Sequence, residues 1–330
     1  MPDYGARAAD KAIAEVAKKI RKVYAQAAAE LRQSFADFTR KHRERQKYML
    51  AKVEKGEMTQ AAYTLWMRGQ VFIGAEWERK INQAAEIMQN ANAEAALIVR
   101  EGKLHVFAEN YNFSSYELEK GLKGTVSFQL YNDQAVNKLL TTKPQLLPEW
   151  RIDEPKDYIW NRQKVENVIT QGIIQGKPVD KIMGDLVGNL CTANENKMRT
   201  FARTAITGAQ NAGRQQQMED AEELGIEVHK KWVATLDDRT RDLHQELDGQ
   251  EVPVDEDFHV GDYTIAYPGD PTAAPEMVYN CRCTMIQVYP GISGERSRRA
   301  YYQDEHGYRK SEVVGDMTYK EWVAWKERRR

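Results

Sequence analysis

Two long runs of helix-forming residues near the start of the chain restrict what it can fold into. Across residues 8–54, Ile13, Val16, Ile20, Val23, Ala27 and Leu31 recur at spacings of three and four, the stripe of an amphipathic helix. Good helix formers fill the other faces, and Gly56 breaks the run. A second run starts at Met58, with Thr59 as a possible N-cap and Gly102 as its end. Each helix would be about 65 Å long at the usual rise per residue. Helices of that length cannot bury themselves in a small globule. The pattern predicts a hairpin arm over residues 1–102. Tyr24, Phe35, Phe38, Tyr63, Trp66, Phe72 and Trp77 would serve its seam on one side and a partner surface on the other.

Later segments read differently. Residues 103–156 form a mixed connector, with three prolines in TTKPQLLPEWRIDEPKD. Helical pattern resumes from Asp157: two helices split at Gly176-Lys177-Pro178, and a third ended by Gly225. IEVHKKWVAT alternates as a strand does, and LDGQEVPV and CTMIQVYP are further short strand candidates. Residues 157–290 therefore read as helices packed on a small antiparallel sheet, and the fold class expected for the whole is α+β. Residues 291–330 read as a tyrosine-rich, charged extension with one short helix.

Charge is uneven within 330 residues whose formal net charge is only −1. Residues 1–55 hold 14 Lys and Arg against 7 Asp and Glu, whereas residues 237–270 hold 2 against 11. No apolar run is long enough to span a bilayer, and the N-terminus lacks the apolar centre of a signal peptide. Three cysteines make no disulfide framework and point to synthesis in a reducing cytoplasm.

The chemistry-bearing residues come in one order. FARTAITGAQNAGR contributes Arg203, Thr204, Asn211 and Arg214 on one helix. KKWVATLDDRTRDLHQELDGQ follows with Trp232, Asp237, Asp238, Arg239, Arg241, His244, Asp248 and Gly249. YPGDPTAAPEMVYNCRCTMIQV closes the set with Asn280, Cys281, Arg282 and Cys283. This order resembles the phage head morphogenesis family of the phage Mu protein F-like type, over about residues 157–290. The resemblance implies a minor head protein of a tailed phage or prophage, present in few copies at the portal vertex or in the head interior. It would assist head assembly, DNA packaging or ejection. The implied partners are the portal protein and, beyond it, major capsid protein and packaged DNA, with no membrane and no enzymatic turnover.

His244, Cys281 and Cys283 are potential zinc ligands. Some relatives carry further cysteines and a histidine in this region. Here Arg241 and Val278 stand in two of those places. Three ligands remain where a structural zinc wants four, with His259, Asp237, Asp238 or Asp248 as candidates to complete the set. The preferred reading needs no cofactor: the cysteines alternate along a strand edge, and a carboxylate such as Asp238 satisfies His244. A Cys281–Cys283 disulfide would close a strained ring. An enzyme reading makes His244 a general base, oriented by Asp238, beside Cys281 and Cys283. Family domains of this kind are fused to toxin modules in some proteins, but only about 40 residues follow 290 here. Arg203 and Arg214 are expected as buried scaffolding, with Arg203 on Asp237 or Asp238, or else on DNA phosphate. A DNA-binding packaging factor would use the basic run RKHRERQK, with Arg40, Lys41, Arg43, Arg45 and Lys47 on the phosphates.

Overall fold

The computed structural model describes residues 3–69, 74–122, 126–148, 154–175, 177, 179–290, 297–304 and 306–327. Phe72 lies outside these residues, as do the side chains of Phe38 and Trp77. In chain order the helices and strands are α1 (Tyr4–Glu54), α2 (Gln60–Gly69), α3 (Gly74–Gly121), α4 (Asp133–Leu140), α5 (Glu154–Ile174), α6 (Val179–Glu223), β1 (His229–Val233), α7 (Asp242–Leu247), β2 (Glu251–Pro253), β3 (Phe258–Val260), β4 (Tyr263–Ile265), α8 (Pro275–Val278), β5 (Thr284–Val288), β6 (Ser297–Gln303), β7 (Arg309–Gly315) and α9 (Tyr319–Glu327). The fold is α+β. No helix among the described residues is long and apolar enough to cross a membrane.

Local signals act as the sequence suggests at several points. Gly56 takes a φ of 74° just beyond α1, a conformation open to glycine at no steric cost. The Thr59 hydroxyl caps α2 by accepting from the Ala62 N–H at 3.1 Å. Gly225 ends α6 with a φ of 75°. Gly102 does not end a helix: α3 runs through it to Gly121. A Cβ at Gly102 would lie 2.9 Å from Val16 Cγ2. The glycine is there for close helix packing. The two helices read on either side of Cys191 are one, because α6 is unbroken from Val179 to Glu223.

The chain divides into two compact units, and α1, α3 and α6 each lend a segment to both. Residues 17–98 and 150–199 form the helical unit. Its seam buries Ile20, Leu31, Phe35, Met88, Ile182 and Leu186. Here the further surface that a long hairpin needs comes from α5 and the first half of α6. Met88 meets Cys191 at 3.8 Å, and Asn92 meets Asn194 at 3.3 Å.

Residues 1–16, 99–149 and 200–330 form the sheet-bearing unit. Its sheet is antiparallel in the order β2-β1-β5, with Lys230 opposite Val252 and Gln287. Two hairpins, β3-β4 and β6-β7, flank it. Trp232, Phe258, Met277, Met285 and Phe107 are fully buried in one core. The last residues hold more structure than one short helix. The β6-β7 hairpin precedes α9, and Ala300, Tyr319 and Trp322 pack with Leu236 in a second small core.

Candidate metal centre

One face of α6 works as a rail for the closing strand. Thr204, Thr207, Asn211 and Arg214 follow at helical spacing, so they share that face. The Asn280 N–H donates to the Thr204 hydroxyl at 3.0 Å, and the Thr207 hydroxyl donates to the Cys281 carbonyl at 3.2 Å. Asn211 donates to the carbonyls of Pro268 and Cys283 at 2.8 and 3.3 Å, and accepts from the Met285 N–H at 3.1 Å. Arg214 donates to the Met285 carbonyl at 2.8 Å and grips Asp3 through both terminal nitrogens, at 2.8 and 2.6 Å. That pairing outweighs the burial of Asp3 and holds its carboxyl below the usual range. Segment 280–285 is thereby fixed residue by residue. Asn280 itself turns with a φ of 56°, a region asparagine tolerates.

On that segment Cys281 and Cys283 are 2% and 3% exposed, and both are free thiols. His244, on α7, is 2% exposed. Its Nδ1 lies 3.3 Å from Cys283 Sγ and 3.6 Å from Cys281 Sγ. The indole of Trp232 packs edge-on against the imidazole at 5.6 Å. The Cys283 N–H points at Cys281 Sγ at 3.4 Å. A tetrahedral zinc with ordinary bond lengths sets nitrogen and sulfur ligands about 3.6 Å apart. Both observed separations are close to that edge, and the three ligand atoms all lie within 4.8 Å of one another. The thiols are also split in character. The hydrogen bond from Cys283, helped by Arg241 and Arg282, draws the Cys281 thiol down against burial, whereas burial and the Cys281 charge push Cys283 up.

No fourth ligand joins from the expected candidates. Among the described residues, the ligand cluster is His244, Cys281 and Cys283 alone. Asp237 is taken by three guanidinium groups: Arg282 at 2.5 and 2.7 Å, Arg309 at 3.0 Å and Arg239 at 3.5 Å. Asp248 accepts from Arg298 at 2.9 and 3.0 Å and caps the Ala234 N–H at 2.7 Å. Asp238 pairs with Lys326, and His259 is exposed with its N–H on Gln250. His244 is thus not satisfied by Asp238, and the geometry does not build the Asp238–His244 pair of the enzyme reading. Asp237 pairs with Arg282, two residues before β5, and not with Arg203; Cys281 and Cys283 likewise precede the strand and do not alternate along its edge. Arg203 is exposed on α6. Gly249 takes a φ of 86° and donates its N–H to the Trp232 carbonyl at 2.9 Å, which seats the start of β2. Arg241 reaches the Tyr279 carbonyl, and Val278 is buried in the core. Arg298, Arg309 and Lys326 were not singled out by sequence, because their carboxylate partners lie 50 to 88 residues away.

The cluster forms one wall of a cavity of about 390 Å³ that also meets Thr200, Arg203, Arg239, Arg241, Asn280 and Arg282. In the helical unit, the basic run is exposed at Arg40, Lys41, Arg43, Arg45 and Lys47. Arg40 lies 3.6 Å from both Asp37 and Glu44, and Arg43 pairs with Asp180.

Residues 163–286 match the family model described as phage Mu protein F like protein. Minor head protein GP7 of Bacillus phage SPP1 is 29% identical over 231 residues, which cover 67% of this chain and 69% of that protein. The protein called NAD(+)–arginine ADP-ribosyltransferase EFV, from Enterococcus faecalis, is 38% identical over 162 residues, which cover 49% of this chain and 31% of that protein. The chain therefore spans about a third of the length of that relative. No solved structure matches the chain at a significant level.

Proposed function

We propose that the chain is a phage minor head protein, a low-copy head component that acts at the portal vertex; the match of residues 163–286 to the phage Mu protein F like model and the similarity to a minor head protein support this. It binds the portal protein there and assists head assembly, DNA packaging or ejection, from the interior of a virion assembled in the host cytoplasm. The supporting observation is the span of the match to a minor head protein, about two thirds of both chains. The interior of the domain supports a scaffolding role too: Asn211, Arg214 and Gln215 spend their side chains on the backbone of distant segments. Co-purification with the portal protein of the same phage or prophage tests the reading. A stable complex is expected, and its absence with correctly folded chain counts against it.

Zinc is part of this proposal. Held by His244, Cys281 and Cys283, it would tie α7 to the closing strand as a structural ion. Elemental analysis of purified protein should find close to one equivalent, and His244→Ala should remove it. Less than about a tenth of an equivalent ends the zinc assignment.

Two other readings have specific motives. The Enterococcus relative's name motivates an assay of NAD-dependent transfer to arginine. We expect no transfer, and turnover abolished by His244→Ala would reverse that. The exposed basic run motivates a gel shift with DNA at several salt concentrations. Residues 3–16 belong to the sheet-bearing unit, so the informative variant replaces Arg40, Lys41, Arg43, Arg45 and Lys47 with Gln and does not truncate. A shallower salt dependence in that variant would support a packaging factor.

A further inference from the structure

The cavity beside the cysteine–histidine cluster carries more positive charge than the metal reading uses. Arg203, Arg239, Arg241 and Arg282 all line it, and no carboxylate does. Asp237 is divided among Arg282, Arg239 and Arg309, three cations on one anion. Arg241 is bound to the neutral Tyr279 carbonyl and to no carboxylate among the described residues. The Arg203 side chain makes no hydrogen bond among the described residues. Asp10, in the same unit, is exposed and also interacts with Arg203 and Arg282, which leaves four guanidinium groups facing two carboxylates. A zinc with two thiolates and a neutral imidazole would itself be uncharged and would not cancel the guanidinium groups.

These features describe a receptor for an oxyanion. Guanidinium forks match the oxygen edges of a phosphate and bind them in pairs. Thr200 and Asn280 add neutral polar atoms to the same walls. The segment carrying Asn280 and Arg282 is pinned to α6 through the Asn280 N–H and the Cys281 carbonyl. The volume of about 390 Å³ falls in the range of small-ligand sites and exceeds what a bare phosphate needs. We propose that this cavity binds a phosphate group, either free or as the 5′-phosphate of a nucleotide. The proposal goes beyond the head-protein reading and does not require the metal.

The test is calorimetric titration of the full chain, both metal-loaded and chelator-treated, with inorganic phosphate, with deoxyadenosine 5′-monophosphate and with deoxyadenosine. Saturable binding of at least one phosphate-bearing ligand, and none of deoxyadenosine, is expected. Equal affinity for both phosphates points to the free ion, and tighter binding of the nucleotide to the esterified source. Arg203→Ala should weaken binding about tenfold or more, the loss of one charge-assisted contact. That variant sits on an exposed helix face where alanine is well tolerated, and circular dichroism verifies its fold. Arg203→Lys should recover part of the loss, and Arg299→Ala, on β6, should change nothing. Absence of saturable binding by either phosphate overturns the proposal, as does binding unchanged in Arg203→Ala. Neither result bears on portal binding or on zinc content, which are measured separately.

Discussion

The two units bury polar groups in opposite ways. In the helical unit, Tyr24 donates to Asn92 at 2.6 Å, Asn92 to Asn194 at 3.3 Å and Asn194 to Asn161 at 3.3 Å. That ladder runs from side chain to side chain inside an apolar seam. In the sheet-bearing unit, buried polar side chains reach distant backbone. Asn211 serves Pro268 and Cys283, Gln215 serves Val254 at 3.0 Å, and Gln287 serves Ser114 at 3.0 Å. The cause lies in the elements. A helix satisfies its own interior backbone, whereas strands of three to five residues and the turns between them leave buried N–H and C=O groups for others to fill. Cutting a polar side chain should therefore cost far more in the second unit than in the first.

The largest effect is expected at Asp248. Its side chain is fully buried and holds Arg298, the Ala234 N–H and the Tyr319 N–H. Asp248→Ala strands Arg298 and frees both the β6-β7 hairpin and α9. A loss of about 4–5 kcal/mol is expected in urea unfolding, the cost of breaking a buried pair from one side. Asp238→Ala is the contrast, because its pair with Lys326 is exposed on the Asp238 side, and the change should stay within about 0.5 kcal/mol. Both aspartates lie in the sheet-bearing unit, so equal effects would mean that burial of the carboxylate does not set the cost there.

Phe35→Ala probes the apolar side of the comparison. Phe35 is fully buried in the helical seam, and its truncation should cost about 3–4 kcal/mol. Hydrogen exchange should show the loss in the helical unit, with protection of the Trp232 strand retained. A uniform loss across both units would mean that they unfold as one.

Asp237 gives the next effect, and it depends on pH. Burial alone would raise its pKa, but the Arg282 hydrogen bonds and charge, with Arg239, overcome this and hold it at about 2. The folded value lies below the unfolded one, so its stabilisation is complete above about pH 4 and is lost as pH falls toward 2. The difference is worth about 2 kcal/mol. Asp237→Asn should flatten that part of the stability profile between pH 4 and 2. A profile with the same slope in the variant would mean that other carboxylates carry the acid response.

Legibility in the sequence follows the same division. The three-and-four spacing of Ile20, Val23, Ala27 and Leu31 declares a buried stripe, and α1 carries it as read. Alternation in IEVHKKWV declares β1. Gly102 misled because glycine as terminator and glycine as close-packing residue look alike without the neighbour, here Val16. The meeting of His244 with Cys281 and Cys283 was readable from residue type, since few other side chains suit a soft metal. Which acid binds which base was not. Asp237 and Asp238 are adjacent and chemically identical, yet one is buried among three arginines and the other is exposed. That choice is made by the β6-β7 hairpin and α9, through contacts about 70 to 90 residues away that no local pattern encodes.

The smallest expected effect lies at the start of the helical ladder. The Tyr24 hydroxyl donates to Asn92, and burial holds that hydroxyl in its protonated form. Tyr24→Phe keeps the ring in the seam and removes only the hydroxyl. Asn92 loses one donor to its Oδ1, but its amide remains on Asn194. A loss of about 1 kcal/mol is expected, the net worth of one neutral hydrogen bond. Asn211→Ala in the sheet-bearing unit should exceed it severalfold, because at least three backbone groups lose their partner together. If Tyr24→Phe costs as much as Asn211→Ala, then polar burial matters equally in both units, and the contrast between self-satisfied helices and externally served strands is wrong.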